Sequence, residues 1–481
     1  MIIESSPTNL DPRSGTDAFS ERIDELLFDA LVRRDEHFQL QPWVAERWEI
    51  PDPLTYIFHL RHDVKFHDGR PLTSRDVKWT IDSMISPDPN LRIPSLKASS
   101  YQFVQRIDAP DPWTVILHLK EPFATLLWNL SDGAFGIVPY GSGKDFSQAP
   151  VGSGPFFLVE NNLDEDVVIE RNNEYWGEHA RLARVRFNVI PDATTRALEL
   201  RKGSADIEIN ALGLDTVETL RSDKRLQVEQ SPGTIYQYLA LNLRDPILKD
   251  PRVRQAIAYS IDRQTIIHYL LRDLARPAAS ILPPQQWAYS DQAPQYAYDP
   301  SKAKQILDNA GYVPDRKGVR FHLVMKTSTD ESVRLLAAIL QQQLRAAGIQ
   351  LDIRSFEFAT FYSDVVKGSF QLFSLRWIGG NQDPDIFENV FHSASFPPKR
   401  ANRGYYSNPE VDRLVDEGRS IVDQERRKQI YAQIQRITAE DLPYVHLWYI
   451  DNVLVHTRRV KITEIPYSGS YDFLRTAELS Q

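Results

Sequence analysis

Cysteine is absent from the 481 residues, which removes disulfides, thiolate metal sites and cysteine nucleophiles together while leaving the redox compartment open. Long apolar runs are missing too. The commonest are as short as Phe156-Phe157-Leu158-Val159, against the roughly 18 uninterrupted residues that a membrane span needs. Nor is there an excess of positive charge: 56 Lys plus Arg stand against 65 Asp plus Glu, a net charge of -9. Such a balance repels a phosphate backbone and excludes nucleic acid as a partner. The chain opens on Ile2-Ile3-Glu4 without the basic and apolar regions of an export signal. What is present in quantity is core material. Apolar residues make up 42% of the chain, with 22 Phe, 20 Tyr and 9 Trp, enough to offset chain entropy. The length exceeds one hydrophobic core and predicts about three domains.

Periodicity places the elements. Tyr56-Ile57-Phe58-His59-Leu60 alternates as a half-buried strand, and Val64-Lys65-Phe66, followed by an Asp68-Gly69 turn, reads as a second. Thr73-Ser74-Arg75-Asp76 matches a capping box ahead of Val77, Ile81, Met84 and Ile85 at helical spacing, and Pro87 stops the pattern. A strand pair is expected at 104–107 and 114–119, joined by a turn over Asp108-Ala109-Pro110-Asp111-Pro112. Glycine and serine cluster at 141–143 and 152–154, marking a boundary before a strand from Phe156 to Glu160. Asp250-Pro251 and Asp299-Pro300 each start a helix with proline at its first position. The clearest helix is Asp330 to Ala347, apolar at Val333, Leu336, Leu340 and Leu344, closed by Gly348 and followed by a strand from Ile349 to Ile353. A final helix runs from Pro409 towards Leu442 with a break near Asp423, and 445–455 has strand composition.

Motifs for chemistry are weak. Gly141-Ser142-Gly143-Lys144 resembles the end of a phosphate loop, but Val138 and Asp145 break the pattern. His59, His62 and His67 scatter over two strand faces and read as surface residues. Neither His-Glu-x-x-His nor Gly-x-Ser-x-Gly occurs. Asp383 and Asp385 form a carboxylate pair, but Pro384 between them favours a turn. The aromatic residues Tyr236, Tyr238, Trp377, Tyr405, Tyr406, Trp448 and Tyr449 fall at strand ends or loops, where rings serve ligand contact or core filling.

An ordered set of motifs resembles the family 5 solute-binding proteins of peptide and nickel ABC importers. It comprises Pro7-Thr8-Asn9-Leu10-Asp11-Pro12, Tyr56 to Leu60 running into Val64-Lys65-Phe66-His67-Asp68-Gly69, and Gly152-Ser153-Gly154-Pro155-Phe156. Further along come Tyr238-Leu239-Ala240-Leu241-Asn242, Asp250-Pro251-Arg252-Val253-Arg254-Gln255-Ala256 with Ile261-Asp262-Arg263, and Tyr405-Tyr406-Ser407-Asn408-Pro409-Glu410-Val411-Asp412. The resemblance implies an α/β, periplasmic-binding-protein-like type II fold with two hinged lobes and an extra α+β domain inserted in the first. Lobe I would take residues 1–19, 150–238 and 450–481, the insertion 20–149, and lobe II 239–449. Crossings near Leu239 to Asn242 and His446 to Ile450 would set Tyr236, Tyr238, Trp448 and Tyr449 beside an interlobe cleft.

The resemblance further implies a binding protein and no enzyme, without cofactor or metal, that captures a peptide-like solute and delivers it as a monomer to an ABC permease. It would act in the periplasm or another extracytoplasmic space, with a lipid tether on an N-terminal Cys removed from or absent in this sequence. Arg376-Trp377-Ile378-Gly379-Gly380-Asn381-Gln382-Asp383 resembles the family's ligand loop, so Arg376, Trp377, Gly380, Asn381 and Asp383, with Tyr405, are expected to contact ligand. The chain departs from the peptide-binding pattern twice. Gly380 stands where an Asp commonly holds the peptide ammonium, and Lys326-Thr327-Ser328-Thr329 lacks the Arg that holds its carboxylate. Lys326 or Arg376 is a candidate replacement. The alternatives are a non-peptide ligand, either an oligosaccharide or a metal chelate near His392 and His446, and, from another class, a secreted hydrolase using Asp383 and Asp385.

Overall fold

Proline and aspartate punctuate this chain where its elements begin, and a computed structural model, which describes residues 1–131, 135–379 and 383–480, shows most of those signals in use. The chain forms two units. One comprises Met1–Ser231, Ser420–Val422 and Asn452–Gln481, the other Pro232–Arg419 and Asp423–Asp451. Each has its own apolar core. No helix among the described residues is long and apolar enough to cross a membrane.

The first unit holds two four-stranded sheets. In one, Ile2–Ile3 lies parallel to Arg184–Val189, which continues antiparallel through Asp166–Arg171 to Phe156–Asn162. In the other, Ala45–Asp52, Thr55–Leu60, Thr114–Leu119 and Val104–Asp111 are antiparallel neighbours in that order. Alternation decides which side is dry: Tyr56, Phe58 and Leu60 are buried, as are Val115, Leu117 and Leu119. The helix Ser74–Ile85 starts at the expected capping box, where the Thr73 N–H donates to Asp76 Oδ2 at 2.8 Å.

Two expectations for this region are corrected. Val64-Lys65-Phe66 is no strand. The turn that follows closes on it at once, the Phe66 N–H donating to Arg70 O at 2.8 Å and Gly69 adopting φ 85°, so only the bridge Lys65↔Pro71 forms. The strand Val104–Asp111 runs through the prolonged turn signal at Ala109-Pro110. It is an edge strand of its sheet, where the N–H that proline lacks has no ladder to serve.

The two glycine clusters serve packing. A Cβ at Gly152 would fall 1.9 Å from Leu27 O, and the Gly154 N–H donates to that same carbonyl at 2.9 Å, so this loop lies directly on the end of the helix Ala18–Leu27. The carbonyls of Ser142 and Gly143 accept from the buried Arg13 guanidinium at 3.0 and 2.9 Å. Arg13 also grips Asp11 through Nε and Nη2 at 2.9 and 2.8 Å. The segment that resembled a phosphate loop is a carbonyl cradle for a cation.

Two long strands pass from one unit to the other, Leu226–Leu241 outward and Tyr444–Thr457 back. Within the first unit Ile207–Ile209 pairs antiparallel with Leu454–His456. Within the second, Tyr236–Leu241 pairs antiparallel with Leu372–Trp377, and Phe321–Ser328 lies parallel to Ile349–Phe356. The helix Glu331–Ala346 joins those parallel strands, its Asp330 cap accepting the Val333 N–H at 3.1 Å, and Leu336, Leu340 and Leu344 are buried beneath it. Each such leucine contributes about 1.5–3 kcal/mol by leaving water. The break near Asp423 is real: Pro409–Ser420 ends there and Asp423 caps Gln424–Asp441.

Candidate functional site

The strand pair in the second unit sorts the expected residues onto two faces. Register sets Trp377 opposite Tyr236 and Arg376 opposite Gln237, and successive side chains alternate. Trp377 therefore shares a face with Tyr236 and Tyr238, while Arg376 shares the other with Gln237 and Ser374. The bonds agree, since Arg376 Nε donates to Gln237 Oε1 at 2.8 Å and Gln237 Nε2 to Ser374 Oγ at 2.8 Å. Arg376 and Trp377 are chain neighbours without being site neighbours. Lys326 is committed elsewhere, its Nζ 2.7 Å from Asp364 Oδ2.

On the Trp377 face the rings form a continuous stack. Tyr236 lies 5.6 Å from Tyr238 and nearly parallel to it, and Tyr238 lies 4.1 Å from Tyr444. The Tyr236 hydroxyl is 2.5 Å from His446 Nδ1. Burial, with the Arg263 charge adding to it, holds the His446 imidazolium down to about 3, so this ring is neutral at physiological pH. Burial pushes the Tyr238 hydroxyl well up and the Tyr444 hydroxyl to about 12, with the Arg403 charge opposing in both cases.

Arg403 was not legible as a site residue, yet it stands at the centre of this face. Its guanidinium lies 5.5 Å from the Trp377 ring and 5.3 Å from the Tyr362 ring, and its Nη2 donates to the Tyr362 hydroxyl at 2.9 Å. It has no carboxylate partner among the described residues. Among the described residues the buried Tyr238 and Tyr444 hydroxyls and the Trp377 indole N–H have no partner in hydrogen-bond geometry. Beside them Phe358 stacks on Tyr362, and Ile378, following Trp377, is 63% exposed. The one sequence signal for Arg403 is its place two residues before Tyr405-Tyr406.

Gly380 and Asn381 lie outside the described residues. Asp383, at the far end of that loop, accepts the Asp385 N–H at 2.8 Å and has Arg427 3.9 Å away, while Asp385 pairs with Arg419 at 2.6 Å. The Tyr405 ring is held under Arg244 at 3.2 Å and against Phe396 at 5.4 Å. Trp448 and Tyr449 are 1% exposed, and the Tyr449 hydroxyl lies 2.6 Å from the carbonyls of both Ser280 and Leu282. The two histidines named for a chelate are apart in their bonding: His446 meets Tyr236, and His392 faces Asp416 at 3.4 Å. No group of three or more metal-capable side chains gathers among the described residues.

Comparison with known proteins places this geometry. Residues 39–396 match the model of bacterial extracellular solute-binding proteins, family 5. The chain is 30% identical to a probable di/tripeptide-binding protein 5 of Pseudomonas aeruginosa (strain UCBPP-PA14), covering 93% of this chain and 90% of that protein. It is 27% identical to the glutathione-binding protein GsiB of Salmonella choleraesuis (strain SC-B67), covering 96% and 90%. Among solved structures, NikA from Brucella suis in complex with Fe(III)-EDTA is 25% identical with a TM-score of 0.86, over 100% of this chain and 99% of that one. DppA from Helicobacter pylori in complex with the peptide STSA is 25% identical with a TM-score of 0.78, over 100% and 97%. The mixed α/β architecture is that of the type II periplasmic binding proteins, and the chain belongs to the bacterial extracellular solute-binding proteins of family 5.

Proposed function

We propose that this chain captures a short peptide or peptide-like conjugate outside the cytoplasm and hands it to the permease of an ABC importer, as a monomer and by binding alone. Family membership over residues 39–396 carries the reading, and the di/tripeptide- and glutathione-binding relatives give the ligand class. In this reading residues 20–149 form a domain inserted into the first lobe. The loop from Trp377 through Gly380, Asn381 and Asp383 meets the ligand, with Tyr236 and Tyr238 flooring the same face. With Gly380 in place of an aspartate there is no ammonium anchor at that position. Aromatic contact and backbone pairing supply correspondingly more of the affinity.

The pairing of Asp383 and Asp385 with arginines supports binding over hydrolysis. Asp385 is held by Arg419 and Asp383 by its own turn, so both carboxylates are engaged in the fold. Thermal melting of ligand-stripped protein tests the proposal. A ligand present at 100 times its Kd stabilises by about 2.7 kcal/mol, so di- to pentapeptides should raise the melt. A response confined to oligosaccharides or metal chelates would replace the peptide reading.

A further inference from the structure

Two buried or half-buried arginines of the same unit, Arg254 and Arg263, are well supplied with carbonyl acceptors. Arg254 donates to the carbonyls of Asp441, Leu248 and Lys249 at 2.7–2.8 Å. Arg263 donates to those of His446, Ala258, Ile261 and Tyr296. Arg403 differs. Half-buried and five-donor by chemistry, it has among the described residues one hydrogen bond of good geometry, to a phenol. The polar groups around it add donors: the Trp377 indole N–H and the Tyr238 and Tyr444 hydroxyls, all buried and, among the described residues, without a partner in hydrogen-bond geometry. A positive charge and three spare donors in an aromatic setting cost free energy as they stand. The set lacks one thing, an anionic acceptor.

We infer that Arg403 receives the free carboxylate of the ligand, at a subsite completed by Trp377 with Tyr238 and Tyr444, and that this subsite replaces the arginine missing ahead of the helix Glu331–Ala346. The inference rests on the peptide reading above and specifies which end of the peptide is held. The planar guanidinium presents paired N–H groups that match a carboxylate bidentately. Tyr362, bonded to Nη2, and the flanking Trp377 ring fix its plane. Lys326 cannot take this role while it is paired with Asp364, and Arg376 lies on the other face of the sheet.

The test uses isothermal titration of the whole protein with alanyl di- and tripeptides, their C-terminal amides and their N-acetyl forms. Loss of a charge-assisted pair in such a setting should weaken binding about 100-fold. Amidation should cost that much in the native protein and N-acetylation much less. Arg403→Gln should cost free-acid peptides a similar factor, with amidation adding almost nothing further, and Arg403→Lys should recover part of the loss. Peptides that bind the native protein equally as acids and amides would overturn the carboxylate assignment and leave the peptide reading intact. Failure of every peptide to bind the native protein would end both. The amide series needs no substitution, so misfolding of a variant cannot obscure the result.

Discussion

Arg13 in the first unit and Arg403 in the second are both withdrawn from water, and they differ in what surrounds them. Arg13 is fully covered and meets Asp11 through two bonds, with the carbonyls of Ser142 and Gly143 completing the shell. Every charge there has its complement, and the arrangement binds two loops to the N-terminal segment. Arg403 has aromatic rings, one phenol and unmet donors around it. A saturated buried cation is scaffold; an unsaturated one beside an exposed apolar rim is positioned for something that arrives later.

The contrast can be broken most forcefully at Arg13. Arg13→Met should leave Asp11 buried without its partner and lower stability by about 3–5 kcal/mol, read by chemical denaturation, while peptide affinity of the folded fraction stays unchanged.

Acidity should separate the units next. Burial holds His446 at about 3, below its ordinary 6.5, so between those values the unfolded chain carries a proton that the folded one lacks. The stabilisation is complete above pH 6.5 and is lost as pH falls towards 3, by up to about 1.4 kcal/mol per pH unit. Glu208, in the first unit, runs the other way. Burial raises it to about 8 from 4.5, against a backbone bond from Ala211, so its contribution is complete below pH 4.5 and declines as pH rises to 8. Glu208→Gln should flatten the alkaline decline and leave the acid one, as measured by denaturation at pH 4, 6 and 8, values on the order of the two windows.

Smaller effects sharpen the difference between met and unmet donors. Tyr449→Phe deletes a hydroxyl bonded to buried carbonyls and should cost about 1–2 kcal/mol. Tyr444→Phe deletes one without a partner and should leave the melting temperature unchanged or raise it. Smallest of all is the expected effect of Arg403→Gln on the ligand-free protein, within about 1 kcal/mol, since it removes a group that the fold does not balance.

Local chemistry explains what the sequence made legible. The caps at Asp250, Asp299, Asp330 and Asp423 and the Thr73 capping box act within one helical turn, so their signals and effects lie in the same few residues. Val64 to Phe66 had strand composition, but strands need partners, and the turn after it supplied one bridge. For the site, residue type carried the aromatic character of Trp377, Tyr236 and Tyr238. Facing was harder. The strand Tyr444–Thr457 is buried almost throughout, so its composition does not show which of its rings join the Trp377 face. Arg403 is defined by what it lacks, and a missing partner becomes visible only when segments distant in sequence are brought together.

The sheet that joins Ile207–Ile209 to Leu454–His456 has a consequence for biosynthesis. Asn210 Nδ2 donates to Asn452 Oδ1 across 242 residues, and Leu454, Val460, Tyr471 and Leu474 belong to the same core as Ile3 and Leu26. A ribosome finishes the entire second unit before it delivers these residues. Vectorial folding therefore leaves the first unit unsealed until the second has been made in full.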